Sequence, residues 1–251
     1  MIIDCISDLH GYYPQLEGGD LLIVAGDLTA RDTIQDCDRF FDWFALQQYT
    51  KKVYIAGNHD NLIQNGKYST PKYCDATYLC DSGTEFSYHI DGFPEEDEGF
   101  LASGKRTLKI WGSPWTKTFK GMNPRCKAFT CDTEEELAQK WALIPDDIDI
   151  LVTHSPPYGI LDEVRRYGPF SHERNESVGS KSLLERVQQV KPKFVFYGHI
   201  HECGLKYTTE NGILFVNASY VNEDYVSRKG YIRCHVQNSS FTACVIQEQK
   251  K

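Results

Sequence analysis

The chain has 251 residues and a formal net charge of −8 at pH 7, with 41% hydrophobic and 13% aromatic residues. That hydrophobic content supplies a packed interior and excludes a largely disordered chain. Duplex nucleic acid is bound mainly by clustered Lys and Arg, so the acidic balance argues against a protein that holds it through its overall field. The length suits one α/β domain, and we predict a single domain over residues 1–251.

The nine cysteines are scattered along the chain and include no Cys-x-x-Cys pair. This spacing excludes a zinc ribbon and leaves either reduced thiols or a disulfide framework. We favour reduced thiols, which pack as small hydrophobic side chains in cytosolic proteins. Met1 runs directly into a strand-like segment, and no apolar run reaches the length that spans a bilayer. We therefore expect a soluble, cytoplasmic protein.

Short apolar runs rich in β-branched residues predict buried strands at residues 2–7, 20–25, 52–56, 108–111, 149–153 and 194–197. Helix-like stretches at residues 36–48, 133–143 and 181–190 lie between several of these runs, a pattern typical of βαβ units. Thr133 and Glu136 resemble a capping box at the start of the second helix. Residues 212–218, 231–237 and 240–247 alternate like antiparallel strands. We predict a mixed α/β fold with two packed sheets and outer helices.

Two stretches have no regular pattern. Residues 93–99 carry Pro94 and four acidic residues, and we interpret them as a solvated loop that could line a rim. Residues 115–131 combine basic residues with Phe119 and Phe129. This second stretch is either an ordinary surface loop or a segment that closes over an anionic ligand.

Side chains that can bind a metal ion follow the predicted strands. They are Asp8, His10, Asp27, Asn58, His59, Asp60, His154, His199 and His201. Loops at the carboxyl ends of parallel strands converge on one crevice, so residues far apart in sequence become neighbours there. The sequence therefore predicts a single site at this edge of the fold.

Each motif alone has an ordinary structural explanation. The motifs at residues 8–10 and 26–27 also occur in turns, and a lone His154 at a strand end is commonly structural. Gly198-His199-Ile200-His201 is more specific, because imidazoles at alternate positions suit Zn, Fe or Mn better than Ca or Mg. The occurrence of all these motifs at strand ends favours a metal site over separate structural roles.

A known family shows the same motifs. The chain resembles calcineurin-like metallophosphoesterases over roughly residues 4–220, through Asp8-x-His10, Gly26-Asp27, Gly57-Asn58-His59-Asp60, His154 and Gly198-His199-x-His201. Longer strings at residues 8–11, 112–115, 153–157, 198–202 and 217–219 resemble the metallophosphoesterase-domain-containing (UPF0046) branch. The resemblance implies a four-layer sandwich, two mixed β-sheets flanked by helices, with a dinuclear metal site at the carboxyl ends of strands.

The resemblance also implies a role for each ligand. One ion would be held by Asp8, His10 and His201, a second by Asn58, His154 and His199, and Asp27 would bridge them. We call these seven residues the ligand set. The expected cofactors are two divalent ions, Mn, Fe or Zn. Two such ions lower the pKa of a shared water, so the expected nucleophile is a hydroxide and no protein nucleophile is needed.

Two further residues are expected to take part in catalysis. The family pattern leaves His59 off the metals, where it would contact the phosphoryl group beside Asn58 and stabilise charge or protonate the leaving oxygen. Asp60 is expected to orient His59, as carboxylates commonly do for imidazoles.

The resembled branch implies phosphodiester hydrolysis, and we expect small nucleotide or cyclic-nucleotide diesters as substrates. A protein phosphatase is disfavoured, because residues 26–32 and Asp60 depart from the strings of that group. A phosphomonoesterase or nuclease of the same superfamily and a non-catalytic interaction scaffold remain as alternatives. We expect a monomer whose partner is the phosphoester substrate, without membrane association and without extended nucleic acid, since no long basic stripe is present.

Overall fold

The computed structural model describes residues 1–89, 104–119, 121–167, 173–237 and 240–247, so the loop expected at residues 93–99 lies outside the described residues. The strands are β1 (Ile2–Ile6), β2 (Gly19–Ala25), β3 (Tyr49–Ile55), β4 (Thr77–Tyr78), β5 (Ser82–His89), β6 (Lys105–Ser113), β7 (Thr116–Lys117), β8 (Thr130–Cys131), β9 (Ile150–Thr153), β10 (Glu163–Tyr167), β11 (Glu173–Ser177), β12 (Phe194–Tyr197), β13 (Lys206–Glu210), β14 (Ile213–Asn217), β15 (Gly230–Gln237) and β16 (Ser240–Gln247). The helices are α1 (Ile34–Leu46), α2 (Asn61–Gln64), α3 (Glu134–Trp141) and α4 (Lys181–Val190), with a 3-10 turn at His201–Cys203.

The first sheet has the strand order β16-β15-β1-β2-β3-β4. Strands β1 to β4 run parallel, whereas β15 is antiparallel to β1 and β16 is antiparallel to β15. Ile6 lies opposite Val24, and Ala25 lies opposite Ile55. This register brings the carboxyl ends of β1, β2 and β3 to one edge of the sheet.

The second sheet has the strand order β13-β14-β12-β9-β6-β5. Its four inner strands are parallel, and β5 and β13 pair antiparallel at the two edges. The antiparallel character predicted for residues 212–218 is therefore only half right. Strand β14 is antiparallel to β13 but parallel to β12, and every one of its residues is buried.

The main hydrophobic core lies between the two sheets. Successive residues of a strand point to opposite faces. Leu21 and Ile23 of β2 accordingly share a buried cluster with Phe194 and Phe196 of β12. The core is therefore formed by the facing sides of both sheets, as in other sheet-on-sheet folds.

Helices cover the outer faces of both sheets. Phe40 and Phe44 of α1 belong to the cluster on the outer side of the first sheet, together with Val24. Leu137 of α3 and Leu183 of α4 belong to the cluster on the outer side of the second sheet. The layers follow the order helix, sheet, sheet, helix, which confirms the predicted four-layer α/β fold.

Local capping explains where the helices begin. Thr33 accepts a hydrogen bond from the backbone of Asp36, so α1 begins at Ile34, two residues before its predicted start. The capping box predicted for Thr133 and Glu136 is present, with both reciprocal hydrogen bonds formed. Ser180 caps α4 as Thr33 caps α1, because its side chain accepts from the backbone amide of Leu183.

The two sheets are joined at the edge where their parallel strands end. The backbone amide of Ser7 donates to Ala218 O at 2.9 Å, and that of Tyr220 donates to Ser7 O at 2.8 Å. Gly198 N donates to His154 O at 3.2 Å. These bonds hold the loops after β1, β9, β12 and β14 close together.

Each of the nine cysteines is unpaired, and six of them are buried. Buried thiols pack as small hydrophobic side chains here. Within the described ranges, none of the helices combines the length and the hydropathy of a membrane span.

Candidate metal centre

Every member of the ligand set follows a parallel strand at the edge where the sheets meet. Asp8 follows β1, Asp27 follows β2 and Asn58 follows β3 in the first sheet. His154 follows β9 and His199 follows β12 in the second sheet. The site is therefore assembled from both sheets, and its position agrees with the sequence prediction.

The backbone is unusual at the ligands. Asp8, His10, Asp27 and His199 have φ values of 51°, 43°, 53° and 67°, in the left-handed region. Few residues other than Gly adopt this region, although Asp, Asn and His do so more often than most. Such conformations cluster at functional sites, where surrounding structure imposes them. Here they turn the side chains inward immediately after the strand ends.

Two glycines allow the carboxylates to come close to the backbone. A Cβ added at Gly198 would overlap Asp8 Oδ2, and one added at Gly57 would overlap Asp27 Oδ1. Only Gly leaves room for these oxygen atoms. This explains the Gly immediately before His199 and the Gly immediately before Asn58.

Asp8, which follows β1 of the first sheet, is held by residues that follow β12 and β14 of the second sheet. Its Oδ2 accepts from the backbone amide of His199 at 2.9 Å and from Ser219 Oγ at 2.8 Å. Its Oδ1 lies 3.2 Å from His201 Nε2. Ligand atoms of Asp8, His10 and His201 all lie within 4.8 Å of one another, which is the first predicted group of three.

Asp27 lies between this group and the remaining ligands. Its Oδ2 is 3.7 Å from His10 Nε2 on one side and 3.4 Å from His154 Nε2 on the other. Its Oδ1 accepts from the backbone amide of His59 at 2.9 Å. The carboxylate is therefore fixed by one oxygen, while the other faces imidazoles from both predicted ion sites.

His154 presents one defined nitrogen to the site. Its Nδ1 lies 2.9 Å from Ala25 O, and because a carbonyl only accepts, Nδ1 carries the proton. The other ring nitrogen, Nε2, lies 3.0 Å from Asn58 Oδ1. The ring of His199 completes this side, with its centroid 5.0 Å from that of His154.

The chemistry of these atoms fits divalent cations. His10 Nε2 is buried and has no hydrogen-bond partner within the described residues, which is costly for a polar atom unless an ion or ligand reaches it. Ligand atoms of Asp8 and His201, and those of Asp27 and His59, lie within 4.8 Å of a ring nitrogen of His10. Mixed nitrogen and oxygen donors of this kind suit Mn, Fe or Zn.

Comparison with known proteins identifies the family of the chain. The family model described as calcineurin-like phosphoesterase matches residues 1–203. The chain belongs to this family. The family resemblance derived from the sequence is therefore confirmed.

Two curated relatives place the chain in the branch predicted from its longer motifs. It is 31% identical over 240 residues to metallophosphoesterase domain-containing protein 1 of Homo sapiens, covering 88% of this chain and 66% of the relative. The chain thus spans just under two thirds of that protein. It is 29% identical over 249 residues to a UPF0046 protein of Caenorhabditis elegans, covering 90% of this chain and 77% of the relative.

A solved structure shows the same fold at low sequence identity. Phosphopantetheinyl hydrolase of Mycobacterium tuberculosis aligns with a TM-score of 0.53 and 14% identity, covering 89% of this chain and 90% of that one. At this identity the likeness concerns the fold alone.

The electrostatics of the metal centre keep two imidazoles neutral. Burial lowers the pKa of His10 to about 4. Desolvation by the surrounding protein, together with the nearby His154, lowers the pKa of His199 to about 3. A metal binds the neutral imidazole, so both lone pairs are available at pH 7 without loss of a proton.

Charged neighbours favour the ionised forms of Asp8 and His154, in contrast to His10 and His199. Burial opposes the charge of Asp8, but the hydrogen bond to His201 and the nearby His154 hold the pKa of Asp8 well below its usual range. Burial likewise opposes protonation of His154, but Asp27 outweighs it and raises the pKa of His154 to about 9. The carboxylates are therefore ionised, whereas His154 holds a second proton at pH 7 that a bound metal ion would have to displace.

The expected contact between Asp60 and His59 is not what the structure shows. The buried carboxylate of Asp60 accepts from the backbone amides of Gly57 at 2.7 Å and Leu28 at 3.2 Å. It therefore ties the loop after β3 to the loop after β2. His59 Nδ1 instead lies 3.4 Å from Cys126 Sγ.

His59 lies as close to Asp27 as a ligand does. Its Nε2 is 3.8 Å from Asp27 Oδ2, compared with 3.7 Å for His10. Distance alone does not separate the predicted catalytic imidazole from the predicted ligands. Its assignment to chemistry stays a prediction that metal analysis can test.

A large cleft of about 1200 Å³ opens onto the metal centre. Among the residues that line it are His59, Thr116, Phe119, Met122 and Cys126. Part of the segment predicted either as a plain loop or as a cover for a ligand thus borders the site.

Sequence reasoning missed Tyr225. Its ring lies 4.8 Å from that of His10 and 5.1 Å from that of His201, measured between centroids. Nothing in the spacing of residues 220–229 marked this Tyr, because its position results from a turn and not from a strand end. A strand-end rule could not have found it.

Proposed function

We propose that this phosphoesterase is a phosphodiesterase that uses two divalent transition-metal ions to hydrolyse small nucleotide or cyclic-nucleotide diesters. The family supplies the general reaction, whereas the number of ions, their identity and the diester substrate are our proposal. The observation that supports it most strongly is the position of Asp27. Its free oxygen faces His10 on one side and His154 on the other.

The chain would hold the ions with two groups of side chains. Asp8, His10 and His201 form one group, Asn58, His154 and His199 form the other, and Asp27 is shared. When bound, a pair of divalent ions supplies Lewis acidity that polarises water and offsets the charge of the phosphoryl oxygens. Ser219 and the backbone of His199 keep Asp8 aligned by donating to it.

His59 is the residue best placed to act on substrate. Its side chain is 19% exposed, whereas those of Asp27 and His154 are 2% and 0% exposed. It lines the large cleft directly beside the ligand set. An imidazole at this place can donate a proton to the leaving oxygen or stabilise charge on the phosphoryl group.

The size of the large cleft supports an ester with a bulky substituent. Binding sites for small molecules commonly have about 300–1,000 Å³ of room and apolar or aromatic walls. The cleft of about 1200 Å³ includes Phe119, Met122 and Tyr158 together with Lys117 and Lys181. These side chains suit the base and the anionic portion of a nucleotide.

Hydrolysis of bis-p-nitrophenyl phosphate tests the proposal. We expect turnover with Mn²⁺, loss of turnover when a chelator is added, and recovery when Mn²⁺ is returned in excess. A panel of cyclic nucleotides, nucleotide monoesters and phosphopeptides should then show the highest kcat/KM for a diester. Absence of any metal-dependent turnover would favour the scaffold alternative, and preference for monoesters would contradict the diester assignment.

A further inference from the structure

A second, smaller cleft of about 330 Å³ adjoins the metal centre. Tyr12, Tyr13, Asp36 and Arg39 are among the residues that line it. His59 and Tyr225 line both this cleft and the large one. The metal centre is thus flanked by two separate spaces that share one wall.

Tyr225 is held firmly in that shared wall. Its φ of 58° lies in the left-handed region, which is rare for a bulky residue and requires support from its surroundings. Asn222 provides this support: its carbonyl accepts from Tyr225 N at 2.9 Å, and its Oδ1 accepts from Val226 N at 2.8 Å. This turn places the ring of Tyr225 next to the imidazoles of His10 and His201.

The small cleft offers a ligand an aromatic face, hydrogen-bond donors and a hydrogen-bond acceptor. Tyr12, whose ring supplies the aromatic face, is 42% exposed. The guanidinium side chain of Arg39 is 72% exposed, and Asp36 Oδ1 lies at the limit of hydrogen-bond distance from it, at 3.5 Å. Asp36 Oδ2 is buried and has no hydrogen-bond partner within the described residues. An aromatic face beside guanidinium donors and a carboxylate suits a planar group with polar edges.

We propose that the small cleft binds the second ester substituent of a linear phosphodiester, and that this substituent is a planar aromatic or heterocyclic group. This inference rests on the proposed phosphodiesterase function. A linear diester carries two separate substituents on phosphorus, one for each cleft. A monoester carries one, so it gains nothing from the second space.

Paired kinetics on a diester and a monoester test the proposal. The diester is bis-p-nitrophenyl phosphate, whose second aryl group can lie against Tyr12, and the monoester is p-nitrophenyl phosphate. In the full chain loaded with Mn²⁺, Arg39→Ala and Tyr12→Ala should each lower the ratio of diester to monoester kcat/KM by about tenfold, mainly by raising KM for the diester. Tyr12→Phe should restore most of that ratio, because it keeps the ring.

Arg106→Ala is the matched control, since Arg106 is an exposed Arg in β6 near the opposite end of the parallel strands. It should leave the ratio at the wild-type value. Equal losses on both substrates, or lower Mn content by elemental analysis, would show a structural effect and refute the subsite. An unchanged ratio in both Ala variants would also refute it while leaving the phosphodiesterase proposal intact. A wild-type protein that cleaves only the monoester would overturn the proposed function as well.

Discussion

Asp27 is the carboxylate of the metal centre that faces imidazoles from both predicted ion sites. One of its oxygens accepts from the backbone of His59, and the other faces His10, His59 and His154 at 3.4–3.8 Å. Buried carboxylates repel one another unless cations neutralise them. The shared position of Asp27 therefore makes it the most sensitive single residue for metal binding.

Replacing Asp27 should remove the ions. We expect Asp27→Ala to lose both metals in elemental analysis and to lower turnover below detection, because each predicted ion loses a common ligand. Asp20→Ala is a suitable control, since Asp20 lies at the start of β2 and accepts from Ile2 N, away from the ligand set. Retention of full metal content in Asp27→Ala would contradict the shared position.

Replacing His59 should separate chemistry from coordination. We expect His59→Ala to keep its metal content and to lose about 10²–10⁴-fold in kcat, the usual contribution of a positioned acid or base. The measurement is elemental analysis together with steady-state kinetics on the same preparation. If metal is lost in proportion to activity, His59 is a ligand and its assignment here is wrong.

Gly198 tests the close approach between backbone and carboxylate. A Cβ at this position would overlap Asp8 Oδ2, so Gly198→Ala should displace Asp8 and weaken metal binding at least about tenfold, as loss of ligand support commonly does. Gly83→Ala provides the comparison, because its Cβ would meet no atom closer than 3.2 Å. Similar metal affinities in the two variants would contradict the steric argument.

At the scale of elements, the carboxylate of Glu134 in α3 accepts hydrogen bonds from residues at the start of α4. Glu134 Oε1 accepts from the backbone amide of Ser182 at 3.0 Å and from Ser182 Oγ at 2.7 Å. It also accepts from Ser180 Oγ. Partial burial opposes the charge of Glu134, but these hydrogen bonds outweigh it and lower the pKa. The negative charge also lies favourably at the N-terminus of α4.

This link should make stability depend on pH. Because its folded-state pKa is lowered, Glu134 contributes stability above the ordinary carboxylate pKa of about 4.3 and loses it as the pH falls through the lower folded value. Glu134→Gln should therefore cost about 1 kcal/mol at pH 7 and reduce the loss of stability on acidification. Urea unfolding of the two proteins at pH 7 and below pH 4 measures the stability cost and the change in its pH dependence. An unchanged pH dependence would show that Glu134 carries no such contribution.

The elements also show what the sequence could predict. Buried strands such as β2, β9 and β12 are continuous apolar runs, and the side chains predicted at their ends lie together in the structure. Strands β5, β10 and β11 were not predicted, because their sequences carry many polar residues and no apolar run. Their pairing depends on partners elsewhere in the chain. Tyr225 was missed for the same kind of reason, since a turn held by Asn222 places it.

At the scale of the whole molecule, the metal centre lies where the two sheets are joined. Asp8, Asp27 and Asn58 come from the first sheet, whereas His154 and His199 come from the second. An ion bound here would link both sheets in the folded state only. Metal binding should therefore stabilise the fold as well as supply chemistry.

Thermal unfolding measures this coupling. With metal at about 100 times its Kd, the folded state gains about 2.7 kcal/mol, which for a chain of this size raises Tm by about 5–10 °C. A chelator should lower the Tm of the wild type by that amount and leave the Tm of Asp27→Ala unchanged. Equal shifts in the two proteins would mean that metal binds elsewhere.

The most direct test of the account is the anomalous scattering of a crystal grown with Mn²⁺. We predict two peaks about 3.5–4 Å apart. One should be bound by Asp8, His10 and His201 and the other by Asn58, His154 and His199, with Asp27 contacting both. A single peak, or peaks bound by other residues, would contradict the dinuclear centre on which the proposed function depends.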